Sequence, residues 1–191
     1  MRVGLSERIT NETQVKVKVN IDGTGRCYVN TGIKFLDHMI KSLAIHGIID
    51  IEINSQGDLV HHIVEDVALT LGDALKKALN DRAGIKRFGF AIVPMDDALA
   101  LVSVDLVQRP YSDIDIKLVN ERIEDIASED IIHFFRSLAD SLQATIHVSV
   151  MKGTNDHHKV EASFKALAVA LRDAWSVDPR RQGMPSSKGV M

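Results

Sequence analysis

Two short stretches of this chain hold the side chains best suited to chemistry. His61, His62 and Glu65 stand in the order His-His-x-x-Glu, and His157, His158 and Glu161 repeat that order in the second half. In a helix, residues four apart share a face with Cβ atoms about 5 to 6 Å apart, so His61 with Glu65, and His157 with Glu161, can grip one ion from adjacent turns. The second histidine of each pair, His62 or His158, points roughly 100° away. One motif therefore does not easily give three ligands to one ion. The pattern suits two metals, each taking a His and a Glu from one half and an adjacent-position His from the other half or from another subunit. His38 and His147 are candidates to complete the shells, and His147 alternates with Ile146 and Val148, on the opposite face of a strand from that apolar pair. Imidazole with carboxylate and no thiolate is compatible with Mn, Fe, Ni or Zn. The zinc-protease order His-Glu-x-x-His is absent.

A single His-His pair at a helix start, with Glu favouring the positive end of the helix dipole, would be ordinary surface chemistry. Two such pairs with Glu at one offset, in matching places, are not explained by packing. Weaker signals lie elsewhere. Arg87, Arg109, Ser186, Ser187 and Lys188 supply the charge-assisted donors and hydroxyls that hold a phosphate. Glu12 is a lone carboxylate ahead of a strand, and Met95-Asp96-Asp97 reads as a turn.

The elements that must position these groups also repeat. Val15, Val17, Val19 and Ile21 alternate with polar residues as a half-buried strand, and Asp22-Gly23-Thr24-Gly25 reads as a turn into a returning strand over 26–30. A helix over 33–47 with Gly47 as its stop, a strand over 48–53 broken at Ser55-Gln56-Gly57-Asp58, and a helix over 59–79 follow. After a connector, strands over 98–107 and 112–119, a helix over 129–143, a strand over 145–150 and a final helix carrying the second motif give the same order. The expected fold is α+β: a tandem duplication of a β-β-α-β-α unit, each half a sheet with helices on one face. The halves are expected at 1–90 and 91–191, packed as one compact unit, the second carrying a C-terminal substrate-binding loop.

Composition bounds the rest. The 191 residues are 45% hydrophobic and 26% charged with a formal charge of −3, which gives a core and excludes a basic nucleic-acid surface as the main theme. No apolar run approaches the roughly 20 residues that cross a bilayer, and the N-terminus lacks a signal-peptide stretch, so no membrane partner is expected and a cytoplasmic location is. The single cysteine, Cys27, cannot form an internal disulfide and reads as a structural thiol.

Taken in order, NETQVKVKVNIDGTG, TGIKFLDHM, HHIVED, RFGFAIVPMDDALA, VDLVQRPY, HFFRSL, NDHHKVEASFKALAVALR, DPRR and PSSKGV resemble the imidazoleglycerol-phosphate dehydratase family over nearly the whole chain. The resemblance implies a duplicated fold similar to the ribosomal S5 domain 2-like fold. It implies a hydro-lyase of histidine biosynthesis that dehydrates imidazole glycerol phosphate to imidazole acetol phosphate with two manganese ions. Carried over motif by motif, the metal ligands fall on His38, His61, His62, Glu65, His147, His157, His158 and Glu161. Substrate contacts fall on Glu12, His38, His46, Arg87, Arg109, Ser186, Ser187 and Lys188, the arginines, serines and lysine lying around the phosphate. Glu12, Glu65, Glu161, His62 and His158 are the expected catalytic groups. The resemblance further implies trimers that pack as a 24-subunit shell with active sites between subunits.

The chain departs from the common pattern at GDLVHH, at VDLVQRPY, at Asp97 where Glu is usual and at Ser42 where many relatives carry Gln. None of these removes a metal ligand named above. The alternatives are a metal-dependent phosphatase or hydrolase, in which metals activate water to attack phosphorus, and a non-catalytic metal-binding assembly protein, which has no need of Arg87, Arg109 and Lys188.

Overall fold

The structure, a computed structural model, describes residues 1–190. In the first half, β1 (Val3–Ile9), β2 (Thr13–Asn20) and β3 (Cys27–Asn30) precede α1 (Lys34–Gly47), β4 (Asp50–Gly57) and α2 (Val60–Leu79). In the second, β5 (Phe88–Met95), β6 (Ala98–Asp105), β7 (Tyr111–Asp115) and the short pair β8 (Arg122–Ile123) and β9 (Ile126–Ala127) precede α3 (Ser128–Leu142), β10 (Thr145–Lys152) and α4 (Asp156–Ala174). The duplication is present, and each unit has one more leading strand than periodicity reveals. β1 and β5 escape notice because their alternation is inverted: Leu5, Phe88, Phe90 and Ile92 face outward while Gly4, Gly89 and Ala91 face the core.

The sheet orders are β1-β2-β4-β3 and β5-β6-β10-β7. The expected hairpin between β2 and β3 does not form. β3 pairs parallel to β4 and β2 pairs antiparallel to β4, because α1 makes the crossover that returns the chain beside β3. β7 and β10 repeat this parallel pair. The strand expected to break at Ser55 runs on through Gly57, which pairs with Thr13, and the one expected over 112–119 ends at Asp115.

The four helices form a central layer between the sheets. α2 packs on β1 and β2, α4 packs on β5 and β6, and the helices meet as α2 against α3 and α1 against α4. Each helix contact therefore joins one half to the other. Close approach is set by glycine at matching places: a Cβ on Gly4 would lie 1.8 Å from the Ala74 carbonyl oxygen of α2, and one on Gly89 would lie 2.0 Å from that of Ala170 in α4. The core fills this layer with Leu36, Met39, Ile40 and Leu43 from α1, Phe134, Phe135 and Leu138 from α3, and Phe164 from α4, all buried. Apolar burial of this kind stabilises by about 25 cal/mol per Å². α1 does not stop at Gly47 alone: Gly47 is its last helical residue, and Ile48 takes the left-handed cap with φ 52°. No helix among the described residues is long and apolar enough to cross a membrane.

Candidate metal centres

The helix pairing brings distant donors together twice. His157 and Glu161, one turn apart on α4, meet His38 of α1; the Glu161 carboxylate lies 3.4 Å from His157 Nε2 and 3.5 Å from His38 Nε2. His61 and Glu65, one turn apart on α2, meet His133 of α3, whose Nε2 lies 3.5 Å from Glu65 Oε1 and whose ring stacks on His61 at 5.0 Å. In each set one donor atom per residue lies within 4.8 Å of the others. His133 Nε2 is buried with no hydrogen-bond partner. Two imidazoles and a carboxylate that bring one donor atom each to a common point are a nitrogen–oxygen set of the kind that binds divalent metals, so the residues present fit one.

The third donor of each set is thus the His of the first helix of the opposite half, rather than an adjacent-position His62 or His158. His147, expected as a ligand, is in neither set. It lies on the exposed outer face of β10, with Nδ1 3.7 Å from Asp113 Oδ2 and its ring 5.6 Å from that of Tyr111, the sheet thickness away from the helix layer. His133 carries no role in the sequence reading. Its signal was the repeat itself, because HFFRSL occupies the same helix of the second unit that FLDHM occupies in the first.

His62 and His158 stand beside the sets, each held through Nδ1. Asp58 Oδ1 lies 2.8 Å from His62 Nδ1 with Glu12 Oε2 at 3.7 Å, and Asp97 Oδ1 lies 2.6 Å from His158 Nδ1. A carboxylate on Nδ1–H fixes the ring and leaves Nε2 to bind a metal. The Asp97 turn thus does more than reverse the chain: its Oδ2 accepts from the amides of Thr154 and Asn155 and from the Thr154 hydroxyl, and with His158 these hold its carboxyl well below the usual range. The side chain of Glu161 is nearly buried. Burial alone would raise its pKa, but the Lys165 ammonium at 2.8 Å and His38 outweigh that and lower it.

Around the centres, Glu12 is exposed in the turn before β2, its carbonyl accepting from the Asp58 amide. His46, in the last turn of α1, is held below its usual pKa by burial and by the Lys165 and Arg172 charges, with Glu161 opposing. Arg87 lies on Asp105 through Nε at 2.7 Å and Nη2 at 2.9 Å, and its Nη1 donates to the Pro185 carbonyl at 2.9 Å, which sets the 186–188 loop beside it. Ser187, Lys188 and Arg109 are exposed, Ser186 is half-buried and Ser42 is buried in α1.

A model of the imidazoleglycerol-phosphate dehydratase family matches residues 31–171, the span that holds both donor sets. The chain belongs to that family. A relative from Methanothermobacter thermautotrophicus named imidazoleglycerol-phosphate dehydratase is 53% identical over 100% of this chain and 98% of its own length. The chloroplastic imidazoleglycerol-phosphate dehydratase 1 of Arabidopsis thaliana is 46% identical over 100% of this chain and 72% of its own. Among solved structures, the imidazoleglycerol-phosphate dehydratase of Pyrococcus furiosus in complex with (S)-C348 superposes with a TM-score of 0.85 at 40% identity, covering 97% of this chain and 99% of that one. The Staphylococcus aureus dehydratase reaches the same TM-score at 31% identity. Within the family, both the duplicated α+β fold and the two half-spanning donor sets of this chain follow from one helix layer.

Proposed function

We propose that this member of the family is a hydro-lyase that dehydrates imidazole glycerol phosphate to imidazole acetol phosphate in histidine biosynthesis, and that it uses two manganese ions. The observation that carries the metal part is the convergence of two His and one Glu in each half-spanning set, His61, Glu65 and His133 in one and His38, His157 and Glu161 in the other, with His133 Nε2 buried and without a hydrogen bond. His38, His157 and Glu161 would hold one ion; His61, Glu65 and His133 would hold the other. When bound, such a pair supplies Lewis acidity that lowers the cost of negative charge on an imidazole ring.

The chain's own groups do the rest. Glu12, exposed and outside both donor sets, is the carboxylate available to accept the proton lost from carbon, with His62 Nδ1 3.7 Å from it. The proton taken from carbon passes on to the departing hydroxide, so that one water leaves, and the enol left behind tautomerises to the ketone of the product. Arg87, with its planar fork fixed by Asp105, joins Arg109, Ser186, Ser187 and Lys188 in gripping the phosphate. His46 contacts the substrate from the far end of α1. His62 and His158, each oriented by a carboxylate on Nδ1, complete the shells of a neighbouring copy, which makes the active sites intersubunit and fits trimers packed in a 24-subunit shell. The exposed apolar face of Phe88, Phe90, Ile92 and Tyr111 favours association. The expected boundary at 90/91 falls inside β5, whose pairing with β6 puts the start of the second unit ahead of Phe88, and the two halves act as one unit because each donor set draws on both. A cytoplasmic setting suits a half-buried Cys27 whose thiol burial pushes up to about 11.

Turnover of imidazole glycerol phosphate with and without manganese tests this. The product should lose one water and keep its phosphate. Release of inorganic phosphate instead would establish the hydrolase reading.

A further inference from the structure

The two donor sets are related by the internal repeat, but what stands behind them is not. Asp130 lies one turn before His133 on α3, is buried, and places Oδ1 2.6 Å from His61 Nδ1. The matching place on α1, one turn before His38, is Phe35, which offers His157 only a ring edge at 4.9 Å. The carboxylate on His157 Nδ1 comes instead from Glu124, at 3.1 Å and 59% exposed. Glu124 sits at φ 53° in the turn between β8 and β9, a hairpin for which the first half has no counterpart. Its neighbour Asp125 accepts from the amides of Lys34 at 2.7 Å and Phe35 at 3.0 Å, so the turn is fastened across the molecule to the start of the helix that carries His38.

We infer that Asp130 and Glu124 are positioning residues that make the two metal centres unequal, the His61 centre binding its ion more tightly than the His157 centre. The inference rests on the metal reading above. A carboxylate on a ligand's Nδ1–H fixes the ring and raises the basicity of Nε2. The buried Asp130 is spared the solvent screening that weakens Glu124. A third difference acts the same way: Glu161 has the Lys165 ammonium at 2.8 Å, a positive charge that disfavours a cation, whereas the ion pair shown for Glu65 is with His133 alone.

The test is a titration of Mn²⁺ alone into the chelator-stripped full chain, following free ion by electron paramagnetic resonance, for wild type, Asp130→Asn and Glu124→Gln. Two classes of site are expected in wild type. Asp130→Asn should weaken the tight class by about 10- to 100-fold and spare the weak class, the scale seen when a ligand's outer partner is lost. Glu124→Gln should weaken only the weak class, by less than about tenfold. Thermal melts of the metal-free variants separate positioning from folding, and the Glu124 arm, on an exposed turn, decides the matter if Asp130→Asn melts early. One class of site in wild type, or Glu124→Gln acting on the tight class, overturns the inference while leaving the metal reading intact. Absence of Mn²⁺ binding by wild type overturns both.

Discussion

His38 Nε2 lies 3.5 Å from Glu161 Oε2, a contact between the first helix of one half and the last helix of the other. The same carboxylate oxygen is 3.4 Å from His157 Nε2, so neither half holds this donor set alone. The candidate metal centres and the junction between the duplicated units are therefore one feature.

Exchange of the third ligand distinguishes the structure from the sequence reading. His133→Ala should remove one of the two ions and lower turnover by about 100-fold or more, the loss expected when several kcal/mol of charge stabilisation disappear. His147→Ala, on the outer sheet face, should keep both ions and turn over within a few-fold of wild type. Metal analysis beside steady-state rates gives the answer, and an unchanged metal content in His133→Ala would remove it from the ligand set.

Acid should act through Asp156 at the start of α4. This buried carboxylate accepts from the amides of Val119 and Asn120 and from Lys159 Nζ at 2.8 Å. Burial alone would raise its pKa, but Lys159 and those amides outweigh it and hold the group at about 2, against an ordinary 3.8. The folded chain thus resists protonation more than the unfolded chain does. The stabilisation is complete above the ordinary value and is lost as pH falls from about 4 towards 2. Asp156→Asn leaves the Lys159 ammonium buried without its counter-charge and should cost about 3 to 5 kcal/mol at neutral pH. Urea melts at pH 7 and pH 3 should show the gap between wild type and variant narrowing in acid; a constant gap would contradict the assignment.

Chelation should shrink the particle. Each donor set supplies three protein ligands and includes neither His62 nor His158, so a metal that took its remaining ligand from one of these on another copy would link the two. Light scattering should report a lower mass after metal is stripped and recovery when Mn²⁺ is returned. A mass indifferent to chelator would confine each centre to one chain.

Much was legible in the residue order. The repeated His-His-x-x-Glu, the apolar period of α1 to α4 and the alternation of β2, β6 and β10 are local patterns, because a helix turn or a strand pleat fixes which side chains share a face whatever surrounds it. From these the fold class, the duplication and four of the six clustered donors, His61, Glu65, His157 and Glu161, could be read within single helices, and His38 was singled out as a candidate. β1 and β5 were hidden because their apolar side chains face outward, where periodicity reads them as ordinary surface. Strand partnership was hidden too: a turn sequence after β2 suggests a hairpin, but the crossover through α1 seats β3 beside β4 instead.

What the tertiary structure alone decided is which histidine completes each set. His133 and His147 are both plausible donors by type. Spacing along a chain reports neighbours only within one element, and the meeting of α2 with α3 and of α1 with α4 is set by packing between halves. That packing turns His133 inward to His61 and leaves His147 on the far side of a sheet. It also sets Asp130 and Glu124 behind the two centres, a difference that no repeat in the sequence discloses.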